Sequence, residues 1–187
     1  SDVCSSDLYE KPKLKLSGIE AVRSSTPHVC REKIKEAFSI VMHGSQKELK
    51  SFVEEFRERF LSLPFEDVAF PRGLKGINEY KSSSTIYKLG TPIQVKGALL
   101  FNNLLREKNI KSIPPLSDGD KIKFAYLRKP NPINDTVIAC PDELPKEFNL
   151  DKYIDRDLQF EKSFLTPLMS ITDVIDWNIS TNASLEE

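Results

Sequence analysis

The sequence predicts an α+β fold built on a helical hairpin, and three observations carry that expectation. Two adjoining stretches, 27–43 and 45–63, place apolar residues at helical spacing and meet at His43-Gly44-Ser45. A third helical stretch, IQVKGALLFNNLLREKNI, follows a long irregular segment. Beyond it GDKIKFAYL alternates apolar and polar residues, and DTVIAC offers it a partner strand.

The chain has 187 residues, of which 39% are hydrophobic and 29% charged, enough for one globular domain with appendages. Apolar runs such as GALLF are far too short to span a bilayer. The first eight residues, SDVCSSDL, lack the basic start and apolar centre of a signal peptide. One codon choice for them spells the end of a common sequencing-library adapter. They are read as translated adapter joined to a truncated reading frame, and they take no part in the fold reasoning.

Residues 12–22 have the pattern of a strand, with Leu14 and Leu16 on one face and Lys13 and Lys15 on the other. Gly18 interrupts it, as at a bulge or a close backbone approach. Thr26 is an expected N-cap and Pro27 an expected first helical residue. Cys30, Ile34, Ala37, Phe38 and Val41 then form one apolar stripe, closed by Gly44 as a left-handed cap. Ser45 to Glu48 is a capping-box sequence for the second helix, whose stripe is Leu49, Phe52, Val53, Phe56, Phe60 and Leu63.

From Leu63 to Pro92 the pattern breaks down into glycine, serine, tyrosine and cations. A connection that long is expected to be functional or folded onto other elements. In the third helix Val95, Leu99, Asn102 and Leu104 or Leu105 are expected inward. Ile122, Phe124 and Tyr126 alternate along the following strand. From Asp157 to Trp177 helical spacing returns through Phe160, Phe164, Leu168, Ile171 and Ile175, with Pro167 expected to kink or split the helix. The last ten residues, NISTNASLEE, read as a polar tail.

Chemistry is sparse. Apart from Cys4 in the adapter-like start, Cys30 and Cys140 are isolated thiols, and His28 and His43 stand alone, so no metal spacing or catalytic pair arises. No phosphate loop, nucleophile elbow or dinucleotide fingerprint occurs. Acid pairs such as Glu66-Asp67 and Asp155-Asp157 lack an accompanying site. Charge is unevenly spread: residues 9–141 carry 23 Lys and Arg against 15 Asp and Glu, whereas residues 142–187 carry 4 against 11. A basic body suits a polyanionic partner, and a solvated surface equally. The stretches 13–25 and 72–96 combine cations with Ser, Thr, Gly and Tyr, the residue types that meet phosphate and sugar. No base-reading helix is evident, so any such binding would be independent of sequence.

The stretch KPKLKLSGIEAVRSSTP carries more than composition. Its K-x-K-x-x-G-[hydrophobic]-E pattern, followed by a cation and Ser-Ser-Thr-Pro, resembles the palm-to-thumb junction of family B DNA polymerases, particularly those of large tailed bacteriophages. VKGALLFN, GDKIKF, PNPI and FEKSFLTPL resemble successive thumb elements of that group, in order, so the resemblance covers residues 9–187. It implies a palm end at 9–24, a thumb at 25–176 and a tail at 177–187. The thumb would comprise the hairpin, further helices and a small β element, preceded by the last palm strand.

The resemblance further implies that the partner is primer–template DNA, held without sequence specificity. Arg23 would approach the primer strand, with Ser24 and Ser25 beside it and Lys13 and Lys15 on the basic face. Tyr80, Lys81, Lys88 and Lys96 would contact duplex from the thumb loop. NASLEE resembles the start of a sliding-clamp motif, through Ala183, Ser184 and Leu185, without the aromatic pair that should follow; clamp binding is therefore expected to be poor. The family's catalytic aspartates and the Mg2+ of the full-length enzyme belong to palm motifs that precede this stretch. No catalytic or metal residue is assigned here, and the fragment is expected to be inactive alone. The other expected partner is the rest of the polymerase chain, in the cytoplasm of an infected bacterium and away from membranes. A stand-alone nucleic-acid-binding or protein-interaction module is the alternative.

Overall fold

The structure is a computed structural model and describes residues 23–179. The strand expected over 12–22 lies outside the described residues. The described chain divides into two compact units, one containing residues 23–63 and 160–179, the other Pro64–Gln159.

In the first unit, α1 (His28–His43) buries Cys30, Ile34, Ala37 and Val41, the expected stripe with Phe38 left half-buried. Its start differs from expectation by one residue. Pro27 is itself the N-cap, with ψ at 141°, and its carbonyl accepts the first helical bond from the Arg31 N–H at 3.0 Å. Thr26 instead closes a turn, donating its N–H to the Arg23 carbonyl at 3.0 Å. Gly44 ends the helix in extended conformation (φ −113°, ψ −155°), not in the left-handed cap expected. Space explains the glycine: a Cβ there would lie 2.5 Å from a Glu48 carboxylate oxygen and 3.0 Å from the Ile40 carbonyl.

Helix α2 (Gln46–Phe60) begins as the sequence predicts. Ser45 Oγ accepts the Glu48 N–H at 3.2 Å, satisfying one of the orphan donors of the first turn. The two helices form the expected hairpin, with Lys33 from α1 over the rings of Phe52 and Phe56 late in α2, at 5.4 and 5.9 Å. The chain rejoins this unit in α6 (Arg156–Phe160), passes through a π-helical segment (Glu161–Leu165) and continues as α7 (Thr166–Thr172). Pro167, expected to kink or split the helix, follows the π-helical segment that separates the two α-helical stretches. It sits in the first turn of α7, and the Thr166 N–H reaches back five residues to the Glu161 carbonyl, so the wide turn precedes the residue that has no N–H to give.

The core between these segments is aromatic. Phe56 lies 4.8 Å from Phe164 and 5.7 Å from Phe160, and Phe60 lies 5.3 Å from Phe160, mostly tilted or edge to face. Such pairs contribute roughly 0.5–1.5 kcal/mol each beyond their area burial. Ile179 is buried as well, within the stretch read as a polar tail, and the Asn178 carbonyl accepts a bond from Gln46 Nε2 at 2.8 Å.

The second unit folds the long irregular segment onto a sheet. A helical turn, α3 (Phe65–Val68), leads into β1 (Phe70–Gly73), a strand that no alternation announced. β1 pairs antiparallel with β2 (Lys121–Tyr126), which pairs antiparallel with β3 (Val137–Cys140). The expected β2–β3 pair is therefore present, with Phe124 opposite Ala139, and β1 adds an edge opposite Phe124 and Ile122. Pro71 is compatible with β1 because an edge strand can spare a ladder donor.

A second helical turn, α4 (Ile77–Tyr80), precedes α5 (Ile93–Glu107). α5 buries Val95, Leu99, Leu104 and Leu105 as expected, and also Ala98, Leu100 and Phe101, so it is covered on more than one face. Its contact with β3 is close at Gly97, where a Cβ would stand 2.8 Å from the Ala139 backbone nitrogen.

Candidate nucleic-acid interface

The expected phosphate-contacting residues fall into three groups. Lys13 and Lys15 lie outside the described residues, as do Ala183, Ser184 and Leu185. Arg23, Ser24 and Ser25 form the turn that feeds α1 in the first unit; Arg23 and Ser24 are exposed and Ser25 is half-buried. Tyr80, Lys81, Lys88 and Lys96 belong to the second unit.

The structure brings most of this last group together. α4 ends at Tyr80, and an isolated bridge pairs Lys81 with Tyr87, making residues 81–87 a small closed loop. The Lys88 N–H donates to the Tyr80 carbonyl at 2.9 Å, and Lys88 Nζ donates to the Glu79 carbonyl at 2.7 Å. Inside the loop, Thr85 Oγ1 donates to the Tyr87 carbonyl at 2.8 Å and the Thr85 N–H donates to Ser82 Oγ at 3.3 Å. Lys81 and Lys88 are both exposed, and Tyr80 is half-buried. Gly76 takes φ +84° to start α4, a conformation open to glycine at low cost.

Lys96 is placed differently. Its ammonium lies 3.2 Å from Asp135 Oδ1 and 4.8 Å from the ring centroid of Tyr87. The Tyr87 hydroxyl donates to the other oxygen, Oδ2 of Asp135, at 2.7 Å. Burial alone would lower the Lys96 pKa, yet hydrogen bonds with Tyr87 and Asp135 and the Asp135 charge hold it above its ordinary value. Burial and the bond to Asp135 push the Tyr87 hydroxyl up as well. Neither Asp135 nor Tyr87 was singled out from sequence, because the contact joins the irregular loop, α5 and the β2–β3 connection.

Around these residues the charge is one-sided: residues 70–111 carry eight Lys and Arg against two acids. A cavity of about 680 Å³ opens beside the loop, and Lys81, Arg106 and Lys111 lie along it with Ile77, Leu99 and Leu105. By contrast two lysines of α1 have acidic neighbours, Lys33 with Glu36 at 3.1 Å and Lys35 with Glu32 at 3.4 Å.

Among the described residues the two thiols are poor nucleophiles. Burial pushes Cys30 up to about 12 against the opposing effect of its hydrogen bond with Ser163, and burial raises Cys140 well above its ordinary value. Among the described residues no three His, Cys, Asp or Glu are grouped to hold a metal ion. The Mg2+ implied for a full-length polymerase therefore finds no fitting donor set among them. No described helix is long and apolar enough to cross a membrane.

Comparison with known proteins agrees with the resemblance read from the junction motif. The chain is 27% identical over 182 residues to the DNA-directed DNA polymerase of Enterobacteria phage T4, covering 95% of this chain and 20% of that protein. It is 28% identical over 182 residues to the DNA-directed DNA polymerase of Escherichia phage RB69, again covering 95% of this chain and 20% of the relative. The chain is thus homologous to phage DNA polymerases while spanning about a fifth of their length. No protein-family model matches it.

Proposed function

We propose that this chain is the palm end and thumb of a family B phage replicative DNA polymerase, and that it holds primer–template duplex without reading its sequence. The observation that carries the proposal is the homology to two phage DNA polymerases along 95% of the chain. The exposed Lys81 and Lys88 on a hydrogen-bonded loop support it, because lysines on an ordered backbone contact phosphates with little ordering cost.

In this reading Arg23 meets the primer strand at the start of the thumb, with Ser24 and Ser25 adding hydroxyl or backbone contacts. Lys13 and Lys15 extend the basic face, and Tyr80, Lys81 and Lys88 meet the duplex from the second unit. Catalysis belongs to the complete enzyme, whose palm carboxylates hold the Mg2+ ions that stabilise phosphoryl transfer. The chain alone binds and does not add nucleotides. Ala183, Ser184 and Leu185 begin a clamp-docking tail, and the whole acts in the cytoplasm of the infected bacterium.

The genomic reading frame upstream of Tyr9 tests this directly. It is expected to encode a palm with an Asp-Thr-Asp-type motif. A native start codon close to Tyr9 would instead favour a stand-alone nucleic-acid-binding or protein-interaction module. In the complete enzyme, Arg23→Ala is expected to shorten the product of a single binding event more than it slows nucleotide addition. Unchanged processivity would remove Arg23 from the duplex grip.

A further inference from the structure

Asp135 is a nearly buried carboxylate with every visible partner organised around it. Its side chain is 11% exposed and that of Lys96 is 23% exposed. Lys96 and the Thr136 N–H meet Oδ1, at 3.2 and 2.8 Å, while the Tyr87 hydroxyl meets Oδ2 at 2.7 Å. The Asp135 backbone is held too, its carbonyl accepting a bond from Asn131 Nδ2 at 2.7 Å. Tyr87 is at the same time the closing residue of the loop, bridged to Lys81 and directly followed by Lys88. Next to Lys88, Leu89 is fully exposed.

We infer that Tyr87, Lys96 and Asp135 form a pin that fixes the 81–88 loop to α5 and the β2–β3 connection, and that Lys96 is a positioning residue rather than a phosphate contact. The inference rests on the duplex-retention reading for its consequence, the presentation of Lys81 and Lys88 to a nucleic-acid backbone. Turning Lys96 toward a phosphate would strip the nearly buried Asp135 of its counter-charge, and an unpaired buried charge is strongly unfavourable. The lysine is better satisfied where it is, against carboxylate and ring together. Its charge therefore acts through Tyr87, which carries the backbone on which the two exposed lysines stand.

The sign of the Asp135→Asn effect separates the two roles. Duplex affinity is to be measured across a salt series for the chain, Lys96→Met, Asp135→Asn and Tyr87→Phe, with hydrogen exchange at the Lys88 amide followed in parallel. A pin predicts that all three variants lose roughly three- to tenfold in affinity, about one ordinary hydrogen bond. It also predicts faster Lys88 exchange in each and easier tryptic cleavage after Lys88. Tyr87→Phe keeps the ring and removes only the hydroxyl, so it reports on the pin even if Asp135→Asn folds poorly. A direct phosphate contact predicts the reverse: Asp135→Asn frees Lys96 and tightens binding, while Lys96→Met lowers the salt slope by about 0.9. That result, or Lys88 exchange unchanged in Tyr87→Phe, overturns the inference. If the unsubstituted chain binds no duplex, the duplex-retention reading fails, and exchange alone still decides whether the pin exists.

Discussion

Gly97 faces two opposing effects. Alanine gains about 1 kcal/mol over glycine inside a helix. At this position, however, its methyl would sit 2.8 Å from the Ala139 backbone nitrogen and 3.0 Å from the Ala139 Cβ. A strand backbone cannot swing aside as a side chain can, and overpacking of this kind costs about 1–3 kcal/mol. Gly97→Ala is therefore expected to lower stability by about 1 kcal/mol in urea unfolding, against the helix-propensity trend. Gln159 is a second such residue. Fully buried, it accepts the Tyr126 N–H of β2 at 2.9 Å and donates to the Val68 carbonyl at the end of α3 at 2.7 Å. Gln159→Leu leaves both backbone groups short of a partner and should cost about 2–4 kcal/mol, read in the same unfolding assay. Nothing in DLQFEK singles out this glutamine, because its partners are remote in sequence. The thiols give a pH prediction. With Cys30 raised from 9.0 to about 12 in the folded chain, the folded state keeps its proton where the unfolded state has lost it. The stability Cys30 contributes is therefore fully present below pH 9 and is lost as pH rises from there through about 12, and the raised Tyr87 and Lys96 act in the same direction. Cys30 and Cys140 should resist alkylation when folded and label after unfolding, as mass spectrometry of their peptides would show.

At the scale of elements, local chemistry predicts best where partners are close in sequence. Ser45 and Glu48 are three residues apart, and the cap they suggest is present. Ser45→Ala is expected to destabilise the hairpin by about 1 kcal/mol, measurable as a lower urea midpoint with unchanged slope. The stripes of α1, α2 and α5 were legible for the same reason, since 3.6-residue spacing is a local signal. β1 was not legible: FPRG is four residues long, contains proline and glycine, and becomes a strand only because β2 offers it an edge. Gly44 shows a subtler failure. Glycine at a helix end suggested positive φ, but the backbone is extended, and a Cβ would crowd the Ile40 carbonyl and displace the Glu48 carboxylate. Lys96 shows the same dependence on remote partners. As a lysine beside a basic loop it reads as a phosphate contact, and only the folded chain reveals Asp135 against it.

At the scale of the whole molecule, the basic body is not uniformly available. Lys33 and Lys35 of α1 are paired with neighbouring glutamates and Lys96 with Asp135. Lys81 and Lys88 are instead exposed, and Lys88 meets a neutral carbonyl, that of Glu79, on a loop whose own backbone is tied down. Net charge by itself could not make that distinction, so the sequence could indicate a polyanion partner without ranking the cations. Homology to the two phage polymerases supplies the partner's nature as a proposal, and the geometry supplies the ranking. Salt dependence tests the two together. Binding of the chain to two unrelated primer–template duplexes should be equal, and log K should fall linearly with log salt, by about 0.9 per phosphate neutralised. No affinity at low salt, or a preference for one sequence that persists across the series, would contradict sequence-independent retention of duplex.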